Sequence, residues 1–281
     1  MPISVLAKRF SEGSAAPVVE VFCPGYEQGV WREEALVQDV FDRHLPSFAL
    51  SYSELNGVTA EVAASALRKA ASAVYDTDKY GKRGEFGELL LHAVLRDFYG
   101  ADIVVSKIYY KSAANDTVKG FDGVHFVPNG SDIELWLGEA KFYSNLSAAV
   151  RDAVASLREH VQADFLRSEF FVITNYLDKD WPYVTPIRDK LAPSHSLDDI
   201  VSSLVIPVCL TYDSTAIGAH TQLTDGYISA LADEAISARE KFAKEINFAL
   251  DIRITLILLP LKSKESLVKR MHEKLRIWQG I

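Results

Sequence analysis

Lys119–Asn145, KGFDGVHFVPNGSDIELWLGEAKFYSN, is the stretch around which the chain is organised. β-Branched and aromatic residues flank a turn cluster, Pro128-Asn129-Gly130-Ser131, which predicts two strands joined as a hairpin. Residues two apart on a strand share a face, so Glu139 and Lys141 project together. Closing the hairpin at Val127 and Asp132 sets Asp122 opposite Leu137 and diagonal to Glu139, roughly 7–8 Å away at Cα. Carboxylates at that spacing can grip one cation, with Lys141 beside them and Gly123 and Gly138 clearing space. Leu135 and Leu137 turn the same face toward an interior. There, like charges raise each other's pKa and cost stability unless a cation or hydrogen bonds compensate. A surface Glu139–Lys141 ion pair would explain an E-x-K alone, but not three residues in phase. The set suits metal-assisted hydrolysis.

Outward from the hairpin, Gly84-Glu85-Phe86-Gly87-Glu88 opens a helix through Leu95 that is apolar around much of its girth. Strands are predicted at Ile103–Tyr110, Gly120–Val127 and Ile133–Phe142. A helix follows, with Val150, Val154, Leu157 and Val161 on one face, and then a buried strand at Phe170–Thr174. Residues 80–176 thus read helix, three strands, helix, strand. Residues 1–79 form an N-terminal α/β extension: strand Val18–Cys23, a helix from about Val30 to Arg43, strand Phe48–Tyr52, and a helix through Val74. Gly57-Val58-Thr59 opens that last helix, with Thr59 as N-cap. Its alanines, at 60, 63, 64, 66, 70, 71 and 73, suit close packing. Residues 177–281 form a C-terminal α/β extension. It has a loop over Asp178–Pro193, a short helix from Ser196 with Asp199 completing a cap, strand Val205–Tyr212, helix Thr224–Phe248, strand Ile252–Leu259 and helix Lys264–Trp278. Its two strands either extend the central sheet or form a separate lobe.

A chain of 281 residues that is 48% hydrophobic buries a sizeable core. Its formal charge of −8 argues against tight, indiscriminate nucleic-acid binding by the isolated protein. The charge is uneven: residues 262–281 hold six Lys/Arg against two Glu, and residues 1–60 hold eight acids against four bases. Cys23 and Cys209 form neither a metal-type nor a disulfide framework. No apolar leader is visible, and the run Ile254–Leu261 is far too short to span a bilayer, so a soluble cytoplasmic protein is expected. No phosphate loop, G-x-S-x-G elbow or H-E-x-x-H helix is present, so neither ATP hydrolysis nor those hydrolytic chemistries are expected of this chain.

Asp122-Gly123, a strand, then Glu139-Ala140-Lys141 resembles the PD-(D/E)xK nuclease motif, with Phe121 standing where the name has proline. The likeness covers about residues 80–175. More narrowly, G-F-D-G-V-H-F and W-L-G-E-A-K-F-Y resemble the nuclease subunit of Hachiman anti-phage defence systems. The resemblance implies a restriction-endonuclease-like α-β-β-β-α-β core, a metal-dependent deoxyribonuclease acting on DNA, and a superfamily 2 helicase as partner. It also implies that the Ala140 carbonyl joins the carboxylates at the metal, and that a glutamate from the preceding helix does too. Glu85 and Glu88 share a helix face. Glu88, next to the apolar run, is the expected ligand, although acids in a helix's first turn also have a dipole explanation.

Asp122 and Glu139 suit a hard ion, Mg²⁺ or Mn²⁺, and Lys141 would orient the attacking water or stabilise developing charge. Lys79, Lys82, Arg83, Lys107, Lys111 and Lys119 could meet phosphates, and Tyr109, Tyr110 and Tyr143 could stack on bases. Solvated surface and core rim are the plain alternatives, and His92 and His125 read as ordinary packed or surface histidines. On the last helix Leu267, Met271, Leu275 and Trp278 form a stripe backed by Lys269, Arg270, Lys274 and Arg276. The stripe serves either a partner or the chain's own core. The alternative to an enzyme is a catalytically silent nuclease-like scaffold that binds DNA or a partner.

Overall fold

A computed structural model describes residues 4–74, 84–106, 120–130, 132–246 and 252–281. The elements run β1 (Ala7–Glu12), β2 (Val18–Cys23), β3 (Tyr26–Glu27), β4 (Val30–Trp31), α1 (Glu33–Asp39), a π-helical turn (Val40–His44), α2 (Leu45–Ala49), α3 (Tyr52–Asn56) and α4 (Ala63–Val74). Then come α5 (Glu85–Tyr99), β5 (Asp102–Ser106), β6 (Gly123–Asn129), β7 (Asp132–Phe142), α6 (Leu146–His160), α7 (Ala163–Tyr176), α8 (Val184–Lys190) and α9 (Leu197–Val201). The chain finishes with β8 (Leu204–Asp213), α10 (Thr215–Ala219), α11 (Asp225–Glu245), β9 (Arg253–Leu261) and α12 (Lys264–Gln279).

Seven strands form one mixed sheet in the order β1-β2-β9-β8-β7-β6-β5. The three central pairings, β2–β9, β9–β8 and β8–β7, are parallel, and the outer ones are antiparallel. The C-terminal strands therefore extend the central sheet, and strands from residues 1–79, 80–176 and 177–281 all belong to it. β8 is buried over nearly its whole length, the continuous apolar run expected of a parallel strand covered on both faces. Helices α6 and α11 cover one face, and α5, α12 and the α1–α2 segment cover the other. No helix among the described residues is long and apolar enough to cross a membrane.

Several sequence expectations are corrected. Phe170–Thr174 is helix within α7, not a strand: Leu166, Phe170, Ile173 and Leu177 are buried at helical spacing, while Phe171 is 68% exposed. The strand that follows α6 in the sheet is β8. Phe48–Tyr52 is likewise no strand. Val37, Phe41, Leu45 and Phe48 continue one buried helical stripe. Pro46, which lacks an N–H, is met by a π-turn in which the Leu45 N–H reaches the Val40 carbonyl. Val30-Trp31 pairs with Tyr26-Glu27, so the first helix begins at Glu33. Thr59 does not cap α4, which begins at Ala63; its hydroxyl bonds Glu61 instead. The Asp178–Pro193 loop contains α8. The predicted strand at Ile103–Tyr110 is described only to Ser106.

The two ends of the chain meet. Leu267, Met271, Leu275 and Trp278 of α12 are buried in the chain's own core against α1 and α4, so this stripe is not a free docking face. Behind it, Arg270 pairs with Glu33 and Glu34, and Lys274 with Asp42. Part of the acidic beginning of the sequence is thus paired with part of its basic end.

Candidate metal centre

The β6–β7 hairpin is tighter than the four-residue turn suggested. Asn129 pairs with Asp132 and Pro128 with Ile133, so the ladder runs up to Gly130 at the tip. Gly130, with φ 61°, supplies the left-handed conformation that two-residue hairpins need. The register is two residues away from the expected one, with Gly123 opposite Gly138. Asp122 consequently lies beside Glu139 rather than opposite Leu137. Its N–H donates to the Gly138 carbonyl at 2.8 Å, and its carboxylate accepts the Ala140 N–H at 2.8 Å. A two-residue shift preserves the face of every side chain, so the grouping survives the correction.

Glu139 is buried, its side chain only 3% exposed, although it sits in a strand with water-accessible neighbours. Lys141 Nζ lies 2.6 Å from its Oε1 and donates to Ser156 Oγ of α6 at 2.9 Å. His160 Nδ1, at the C-terminal end of α6, stands 3.3 Å from Oε2, too poorly aligned for a hydrogen bond. Burial drives the Glu139 carboxyl up, but His160 and Lys141 outweigh it and hold it below the usual carboxylate range. Burial likewise depresses the Lys141 ammonium. The charge of Glu139, and after it that of Asp122, lifts it above its ordinary value. The site is therefore a carboxylate kept ionised inside a protein, with one buried oxygen of unused bonding capacity. Together with the Asp122 carboxylate, this donor set fits a hard divalent ion.

The glycines do not clear space for a ligand. A Cβ on Gly138 would lie 2.8 Å from Leu91 Cδ2, and one on Gly87 would lie 2.9 Å from Phe142 Cβ. They let α5 press onto β7, on the face away from Lys141. Glu85 is buried and Glu88 half-buried on that helix. Neither forms a compact trio with Asp122 and Glu139. Among the described residues, the one trio of candidate ligands whose atoms lie within 4.8 Å of one another is Asp39, His44 and Asp97. The Arg43 guanidinium already bridges those two aspartates, so the trio reads as an ion-pair network. His92 and His125 are packed, with His92 Nδ1 3.1 Å from His125 Nε2 and His92 Nε2 2.9 Å from Ser47 Oγ. Tyr143 is partly buried, its hydroxyl donating to Asp152. Lys79, Lys82, Arg83, Lys107, Lys111, Lys119, Tyr109 and Tyr110 lie outside the described residues.

Sequence reasoning missed Ser156, His160 and Glu169. The first two belong to a polar row on α6 beside its apolar stripe, a pattern every amphipathic helix shows. Glu169, buried on α7, closes over Gly120: a Cβ there would lie 3.0 Å from its carboxylate, and Gly120 has φ 149°, open to glycine but rarely to other residues.

The fold and site define a mixed α/β protein in which a buried Glu139 pairs with Lys141 on β7, the neighbour of the central strand β8 in a seven-stranded sheet. The chain matches the HamA family model over residues 3–275 and belongs to that family, the Hachiman defence proteins. Membership implies a role in Hachiman anti-phage defence. No curated protein matches the sequence.

Proposed function

We propose that the chain is a divalent-metal-dependent DNA nuclease of PD-(D/E)xK type, the effector of a Hachiman complex that includes a helicase. The observation that carries this reading is the gathering of Asp122, Glu139 and Lys141 at one place, with Glu139 kept ionised despite burial. The order α5, β5, β6, β7, α6, β8 supports it, because it matches the α-β-β-β-α-β core once α7–α9 are set aside as an insertion. Asp122, Glu139 and the Ala140 carbonyl would hold Mg²⁺ or Mn²⁺. Glu88 of α5 would be the further carboxylate that the resemblance implies. A bound ion would lower the pKa of a ligated water and offset charge on the scissile phosphate. Lys141 provides a fixed cation for the developing negative charge, and its bond to Ser156 holds it at the site edge.

One observation favours a second reading, a silent scaffold. Both Glu139 oxygens have basic neighbours, as in a structural ion pair. The deciding experiment incubates linear, circular and single-stranded DNA with the chain, with and without a genomically adjacent helicase and ATP. Cleavage should need Mg²⁺ or Mn²⁺, be poor in Ca²⁺, rise with the helicase and stop in EDTA. Binding without cleavage under every condition would leave the scaffold.

A further inference from the structure

Three polar side chains of α6 follow one another at every fourth position: Asp152, Ser156 and His160. Tyr143, just past the end of β7, and Lys141 and Glu139 of β7 follow at every second position in the opposite direction. They meet in order. The Tyr143 hydroxyl donates to Asp152 at 2.8 Å, Lys141 to Ser156 at 2.9 Å, and His160 Nδ1 faces Glu139 Oε2 at 3.3 Å. Four helical residues rise about 6.0 Å and two strand residues about 6.6–6.8 Å, so helix and strand stay in step over three rungs. Chance polar contacts across a helix–strand interface do not keep such a register.

The His160 rung is held by ring packing and charge rather than by a hydrogen bond. Its ring stacks on Phe165 of α7 at 4.6 Å and 21°, and packs on Phe121 at 5.0 Å. Phe121 is the residue before Asp122, so one imidazole touches both arms of the motif. Its side chain is 14% exposed, and the Glu139 oxygen it faces is enclosed. A buried glutamate held by Lys141 alone would rest on a neighbour from its own strand. His160 ties it to a second element whose ring orientation is fixed by two aromatics.

We propose that His160 is a positioning residue, holding the Glu139 carboxylate in the orientation in which it can receive a divalent ion. This rests on the nuclease reading above. Outer partners of metal-binding carboxylates typically change affinity by about 10–100-fold. The test uses His160→Ala and His160→Asn, each alone and with Glu139→Gln, since the asparagine amide can take the place of Nδ1.

In EDTA, His160→Ala should lower Tm in the parent more than in the Glu139→Gln background, and His160→Asn should restore most of the loss. By calorimetry with Mn²⁺ alone, His160→Ala should weaken binding about 10-fold and His160→Asn should recover it. Equal Tm losses in both backgrounds with unchanged Mn²⁺ affinity would reduce His160 to packing and overturn the proposal. Loss of Mn²⁺ binding that asparagine does not rescue would make His160 a ligand, which also overturns it. A parent that binds no Mn²⁺ while the Tm coupling persists would sink the nuclease reading and leave the His160–Glu139 contact standing. Should the alanine variant not fold, the asparagine variant in both backgrounds carries the same comparison.

Discussion

Replacing Lys141 with methionine separates the pair's structural role from its chemistry. The substitution leaves Glu139, 3% exposed, with His160 as its remaining basic neighbour. Breaking a buried ion pair from one side costs about 3–5 kcal/mol. Lys141 is itself 18% exposed, so water reaches the edge of the site and the lower end of that range applies. At about 2 °C per kcal/mol for a chain of this size, Tm should fall by about 6 °C. The double variant Glu139→Gln/Lys141→Met removes the stranded charge and should recover most of that loss while remaining inactive. Removing Lys141 takes away one of the two basic neighbours that hold the Glu139 carboxyl down against burial, so its folded pKa moves up relative to the parent's. Raising a folded pKa removes stability that ionisation would have supplied, so the deficit grows as pH rises. The single variant should therefore be least impaired near pH 4–5 and most impaired at pH 8. Denaturant melts of the three proteins at both pH values decide the matter. A single variant as stable as the parent, or a double variant no better than the single, would refute the buried-pair argument.

Other outcomes follow from packing and titration elsewhere. Gly87→Ala should destabilise the fold: alanine gains about 1 kcal/mol in helix propensity, but the new Cβ at 2.9 Å from Phe142 Cβ costs about 1–3 kcal/mol, read by thermal unfolding. Burial holds His92 well below its usual range and drives His125 down to about 3, so both fold as neutral rings. Stability should be complete above pH 6.5 and fall as pH drops toward 3, by up to about 1.4 kcal/mol per pH unit for each ring, a slope that His125→Leu should flatten. Met271→Ala in α12 should cost about 2–5 kcal/mol by unfolding, since that side chain is core and not a docking surface.

The sequence made the hairpin, α5, α6 and the last strands legible because each carries a long periodic pattern. It also supplied the motif residues by type. What failed was local. Phe170–Thr174 looks β-like in a five-residue window, and only the spacing from Leu166 to Leu177 betrays a helix. The hairpin register hung on whether Pro128 and Asn129 belong to the turn or to the strand, a choice that side-chain parity does not reveal. Ser156 and His160 could have been found from the match between a four-residue helical step and a two-residue strand step, but only once α6 was known to lie on Glu139's face. Gly138 looked like room for a ligand because nothing in the sequence shows which helix fills it.

Val18 pairs with Thr255, and β8 lies between β7 and β9. A ribosome therefore releases the β1–β2 ribbon long before its sheet neighbour exists, and β7 emerges without the strand that supports one of its edges. Until residues 204–261 are made, Glu139 and Lys141 belong to an unsupported hairpin. Such long-range pairing is slow to form. It also means that fragments produced by premature termination or proteolytic trimming ahead of β8 lack a completed site. If the proposed nuclease activity holds, that order of synthesis keeps unfinished or trimmed chains from carrying a working site.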